Sequence, residues 1–184
     1  MDDLYTRTRM LIGDGVDLLK NAKVLVCGVG GVGGYVVEGL ARAGVGTIDV
    51  LDNDVFSASN LNRQILATVD TLGRKKTEVA IERIKSINPD CKTKAYDLFY
   101  LPDTADEVNL SLYDYVVDAI DTVSAKLALI QNAKQAGTEI ISCMGTGNKL
   151  EPEKLQISDI SRTHTCPLAR AVRARLRRGG GLHR

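Results

Sequence analysis

Tryptophan is absent from this 184-residue chain, and only two phenylalanines and six tyrosines are present, so aliphatic side chains must build its core. No apolar run approaches the roughly 20 residues a membrane-spanning helix needs. The N-terminus, MDDLYTRTRM, has neither the basic start nor the apolar stretch of a secretory signal. The chain is therefore expected to be cytoplasmic, with no membrane span. No C-x-x-C pair occurs among Cys27, Cys91, Cys143 and Cys166, which excludes the usual structural zinc knuckle. Without an export signal, disulfides are not expected either. Cys27 and Cys143 fall inside apolar runs, as small buried residues do.

Acidic residues are missing altogether after Asp159. Residues 1–160 hold 17 Lys+Arg against 23 Asp+Glu, whereas residues 161–184 hold seven Arg and no acid. A segment such as PLARAVRARLRR suits either a polyanionic partner or a solvated helix end.

Strands and helices alternate along what is present. Lys23–Val29 (KVLVCGV) is a short apolar run ending in glycines, as a buried parallel strand does. Val32–Ala43 has helical apolar spacing and is stopped by Gly44 and Gly46. Thr47–Leu51 reads as a second strand, completing a βαβ unit. A polar connection, Asp52–Gln64, is too long to be a mere turn. A helix is predicted over Thr71–Asn88, then a weak strand over Lys92–Tyr96 and a short helix over Pro102–Leu112. Tyr115–Ile120 and Glu139–Met144 read as strands, separated by a helix over Ser124–Ala136 with Ser124 as N-cap and Gly137 as its stop. The pattern implies an α/β fold with a doubly wound, mainly parallel sheet. The length allows one domain over residues 1–160, followed by a basic C-terminal helix over 161–178 and a disordered tail over 179–184.

Gly28, Gly30, Gly31 and Gly33 form a Gly-rich turn between a strand and a helix, the setting in which helix N–H groups face a phosphate. Asp52 ends the next strand about 20 residues on, where a carboxylate takes the ribose hydroxyls. Up to this point an NAD-dependent dehydrogenase fits as well as an ATP-using enzyme. Ser59-Asn60-Leu61-Asn62-Arg63-Gln64 and Lys76 separate the two. Cations there answer the negative charge that builds on a leaving pyrophosphate, which a dehydrogenase never forms. Asp118 and Asp121 close the YVVDAI strand at the edge where ligands of such sheets bind, and a carboxylate there suits Mg²⁺ bridged to phosphate. Taken singly, Arg63 and Lys76 also read as surface cations, and Asp54 and Asp118 as loop-holding groups.

Jointly, GxGGxG, DxD, SNLNRQ, GRKKTE and DAID resemble the ubiquitin-activating superfamily from about Tyr5 to Leu176. The resemblance implies a Rossmann-like ATP-binding domain that forms an acyl-adenylate. It assigns the glycines to the nucleotide, Asp52 to the ribose, Arg63 and Lys76 to the phosphates and Asp121 to Mg²⁺. Asn60, Gln64 and Asp54 belong to the same ATP site. Arg7 resembles an N-terminal arginine that reaches across a homodimer to the partner's ATP.

Within the superfamily, sulfur-carrier adenylyltransferases usually carry two C-x-x-C pairs, which this chain lacks. ERIKSINPD and DISRTHTCPLARAVRARLR resemble instead the tRNA threonylcarbamoyladenosine dehydratases. That resemblance implies a tRNA substrate, with a sulfur-carrier or cysteine-desulfurase-type protein as a further partner. The implied chemistry is ATP-dependent cyclising dehydration of the tRNA modification through an acyl-adenylate. Two alternatives stand beside it: adenylation of the C-terminal glycine of a ubiquitin-like sulfur carrier, and a non-catalytic nucleotide-binding adaptor. Members of the dehydratase subgroup continue for several dozen residues past the basic helix, so a C-terminally truncated form is expected. Cyclisation within one held substrate needs positioning more than a protein nucleophile, so no role is assigned to His164 or Cys166.

Overall fold

The computed structural model describes residues 4–178; the tail expected to be disordered, 179–184, lies outside the described residues. Five parallel strands form one sheet: β1 (Lys23–Cys27), β2 (Thr47–Leu51), β3 (Ala95–Tyr96), β4 (Tyr115–Asp118) and β5 (Glu139–Ser142), in the order β3-β2-β1-β4-β5. The chain winds outward from β1 in one direction and, after β3, returns to place β4 on the other side of β1. The crevice between the carboxyl ends of β1 and β4 is thus the topological switch point of the sheet.

Both faces of the sheet are covered, which explains why the strands read as continuous apolar runs. Val24, Val26, Ile48, Val50 and Val117 point into one core, with Val37, Ala41, Val79, Ala80 and Ile84 of the helices α3 (Gly33–Ala43) and α4 (Lys76–Ile87). Their alternates Leu25, Cys27, Leu51 and Val116 point the other way, against Leu129 and Ala133 of α5 (Val123–Ala136). The basic helix α6 (Pro167–Arg178) packs outside α5 through Ala169, Val172 and Leu176, spaced i, i+3 and i+7.

Several boundaries differ from expectation. α4 starts at Lys76, because Val55 pairs with Lys75 in an isolated antiparallel bridge, and the predicted first turn becomes a 3₁₀ turn at Val69–Thr71. The helix expected over Pro102–Leu112 is two 3₁₀ turns, Ala105–Glu107 and Leu110–Leu112. Thr122, not Ser124, is the N-cap of α5, while Gly137 ends it at φ 71° as expected. Two seven-residue helices precede the sheet without having been anticipated, α1 (Thr6–Ile12) and α2 (Gly15–Asn21). Among the described residues no helix is long and apolar enough to cross a membrane.

Candidate active site

The Gly-rich turn leaves β1 at Gly28, whose φ of 89° suits glycine, and enters α3 at Gly33. A Cβ on Gly33 would lie 1.7 Å from the Gly28 carbonyl oxygen, so the turn closes only without one. A Cβ on Gly28 would lie 2.8 Å from the Ala119 carbonyl oxygen, so the loop after β4 is seated directly on this turn. Gly30 and Gly31 differ: their nearest neighbours, at 3.7–3.8 Å from the Cβ position, are Gln64 and Arg63. Those two glycines border a cradle at the N-terminus of α3, whose first N–H groups have no intrahelical acceptor.

The long connection after β2 folds back over this cradle. Phe56, Leu66 and Ala67 anchor it in the core beneath, and the Val55–Lys75 bridge closes its base. Asp52 holds the cradle in shape: its two oxygens accept from the amides of Val29 (2.6 Å) and Asp54 (2.9 Å). Lys76 is buried and donates to Asp54 Oδ2 at 2.8 Å. Asn60 caps its own turn, accepting from the Ser57 amide at 3.0 Å. Arg63 is exposed, and its hydrogen bonds go to the Ser59 carbonyl (2.8 Å) and Asn62 Oδ1 (3.1 Å), so no carboxylate neutralises it. Gln64 is only 7% exposed, and its Oε1 is the one buried side-chain oxygen without a partner among the described residues. An orphaned acceptor at the rim of a glycine cradle is what a site for a polar ligand leaves when the ligand is away.

The two acids of the DAID segment part company. Asp118 was expected at the ligand edge, but it is fully buried and accepts from Lys126 Nζ at 3.0 Å, from the Ile120 amide at 3.1 Å and from the Ser142 hydroxyl. Lys126 is equally buried and also donates to the Cys143 carbonyl at 2.7 Å. Sequence reasoning missed Lys126, since a lysine in an amphipathic helix ordinarily reads as solvated. Asp121, three residues on, is exposed, and its one neighbouring bond is to Thr122 Oγ1 at 3.4 Å.

The fold therefore brings together Gly28, Gly30, Gly31, Gly33, Asp52, Asp54, Asn60, Arg63, Gln64, Lys76 and Asp121 at the carboxyl edge of the sheet. It does not bring Arg7 to them. Tyr5 packs on Gly44 at the far end of α3, about 16 Å from the cradle at 1.5 Å per residue. Arg7, the second residue of the helix that starts there, is exposed. His164 and Cys166 form no side-chain pair: His164 Nδ1 bonds Thr165, and the Cys166 thiol meets the Gly145 carbonyl at 3.6 Å. Burial pushes that thiol up, but backbone contacts with Ala169, Gly145 and Leu168 outweigh it and hold it below the ordinary thiol value.

A doubly wound parallel sheet with a glycine cradle, a lysine tethered to Asp54 and an exposed carboxylate at its carboxyl edge is the architecture of a nucleotide-binding α/β enzyme. Residues 5–160 match the ThiF family, and the chain belongs to it. It is 42% identical over 177 residues to the tRNA threonylcarbamoyladenosine dehydratase of Bacillus subtilis strain 168, covering 96% of this chain and 70% of that one. It superposes with a TM-score of 0.90 and 38% identity on the crystal structure of the Escherichia coli dehydratase in complex with ATP, covering 94% of this chain and 72% of that one. An adenylyltransferase and sulfurtransferase, UBA4 of Vanderwaltozyma polyspora, is 39% identical over 131 residues, 71% of this chain and 30% of its own length. The chain spans 65–70% of the length of the bacterial dehydratases it matches.

Proposed function

We propose that the protein is an ATP-dependent adenylate-forming enzyme that dehydrates threonylcarbamoyladenosine in tRNA to its cyclic form. The observation that carries the reading is the intact cradle, with Arg63 unneutralised and the Gln64 oxygen unpartnered beside Gly30 and Gly31. Similarity to the Bacillus subtilis dehydratase extends across 96% of the chain, against 71–80% for two adenylyltransferase and sulfurtransferase relatives, and this favours the tRNA substrate.

The triphosphate fits with its α-phosphate at the α3 N-terminus and its ribose on Asp52, whose oxygens retain free lone pairs. Arg63 and Lys76 face the β- and γ-phosphates, with Lys76 released from Asp54 or shared with it. The threonyl carboxylate attacks the α-phosphorus and the bond to the β-phosphate breaks. Charge gathering on pyrophosphate meets the two cations. The nitrogen of the modification then attacks the activated acyl carbon, loses its proton and expels AMP, which carries away the oxygen formally lost as water. Asp121 is the carboxylate for Mg²⁺. Bound there, Mg²⁺ would supply charge neutralisation on the phosphates.

The site is proposed to be completed by a second copy of the chain, in a two-fold homodimer that delivers Arg7 to the partner's cradle. Exposed Met10, Leu11 and Leu18 on α1 and α2 give that face an apolar character. ATP–pyrophosphate exchange in the presence of threonylcarbamoyl-modified tRNA tests the reading. Exchange that needs the modified tRNA supports it, whereas exchange driven only by a sulfur-carrier protein moves the assignment to the alternative.

A further inference from the structure

The two helical faces of the sheet are charged by different rules. On the α3–α4 face each arginine answers an acid: Arg42 and Arg83 pair with Glu38, and Arg74 with Glu82. On the other face, α5 and α6 contain no aspartate or glutamate, and α6 alone carries five arginines. Arg173 donates to the Thr163 carbonyl at 2.7 Å and fixes α6 to the turn before it, so it does not belong to the outward face. Arg170, Arg175, Arg177 and Arg178 remain exposed and pair with no carboxylate among the described residues. At 3.6 residues per turn these four fall within an arc of about 160° on the side opposite Ala169, Val172 and Leu176.

From this asymmetry we infer that the outward arginine face of α6 is the surface on which the tRNA backbone lies, an assignment that rests on the proposed tRNA substrate. Guanidinium groups without internal partners match phosphate oxygens in charge and in bidentate geometry. A bilayer is a poor alternative, because the apolar stripe of α6 is already spent on α5. The placement also suits the chemistry. α6 begins just after Cys166, which is in contact with Gly145 just past the end of β5, so its first turn stands at the same sheet edge as the cradle. From there it runs about 18 Å away, giving the RNA a track that leads to the nucleotide. Residues 1–160, with their acidic excess, repel RNA from the remaining surface.

The test compares the wild type with a variant carrying Arg170→Gln, Arg175→Gln, Arg177→Gln and Arg178→Gln. A control variant loses equal charge elsewhere, through Arg42→Gln, Lys85→Gln, Lys92→Gln and Lys94→Gln. Binding of modified tRNA is titrated from about 50 to 200 mM salt, where each phosphate contact adds roughly 0.7–0.9 to the slope of log affinity against log salt. The α6 variant is expected to lose about 2.8–3.6 from that slope if each of the four arginines meets one phosphate, to raise KM for tRNA while keeping kcat, and to bind ATP normally. The control keeps the wild-type slope. Equal slopes in the wild type and a folded α6 variant overturn the surface while leaving the function standing, as does an equal loss in the control. A wild type that turns over ATP only with an acidic carrier protein, and binds no tRNA, overturns both.

Discussion

Lys126 and Asp121 illustrate how little a residue's type says about its task. Lys126 is 0% exposed, and its ammonium donates to Asp118, Ser142 and the Cys143 carbonyl, tying the ends of β4 and β5 to the first turn of α5. Removing one partner of such a pair leaves a buried charge uncompensated, so Lys126→Met should lose about 3–5 kcal/mol in a denaturant titration. A loss within the range of an exposed lysine would contradict the buried network. Asp121, exposed and without a cation, has the opposite profile. Asp121→Ala should therefore melt like the wild type, yet slow pyrophosphate release by about 10²–10³-fold. Near-normal release from the folded variant would remove Asp121 from the metal role. The residue pattern alone placed both acids of DAID at the ligand edge, with Asp118 also readable as a loop-holding group and only the family resemblance singling out Asp121; the burial of Asp118 at the strand's last inward position separates them in the fold. Gln64, in contrast, was legible through its motif, while its buried, unpartnered oxygen appears only in the fold.

At the scale of elements, the strand runs were readable because a sheet covered on both faces demands unbroken apolar residues, and β2 has the bounds its pattern predicts. What the local pattern did not carry was tertiary. The base of the 52–75 excursion is set by pairing Val55 with Lys75, which no periodicity announces. α1 and α2 are short helices that leave Met10, Leu11 and Leu18 uncovered, so they lack the inward stripe by which an amphipathic helix is recognised. Helix α3 offers a direct check on the cradle, because two of its three glycines have opposite meaning. Gly33→Ala forces a methyl to 1.7 Å from the Gly28 carbonyl and should abolish nucleotide binding along with about 1–3 kcal/mol of stability. Gly39 has nothing within 4 Å of its Cβ position, so Gly39→Ala should stabilise the protein by about 0.4–1 kcal/mol with ATP affinity intact. Isothermal titration with ATP beside chemical denaturation reads both. Equal nucleotide binding by the two variants would contradict the close-packed turn.

For the whole molecule, the site drawn from one chain lacks Arg7, which sits beyond the far end of α3. A composite dimeric site predicts complementation: inactive Lys76→Ala and Arg7→Ala chains, mixed, should regain activity through one intact site per heterodimer. Heterodimers that form and stay inactive would return Arg7 to a role within its own chain. The substrate assignment reaches beyond this domain, and the most direct test of it is the product itself. Incubating the protein with ATP, Mg²⁺ and threonylcarbamoyl-modified tRNA, then digesting the tRNA to nucleosides for mass spectrometry, should show the modified adenosine lighter by one water, with AMP and pyrophosphate released in equal amounts. Unchanged nucleoside mass, alongside an ATP site that still adenylates a carrier-protein carboxylate, would contradict the assignment.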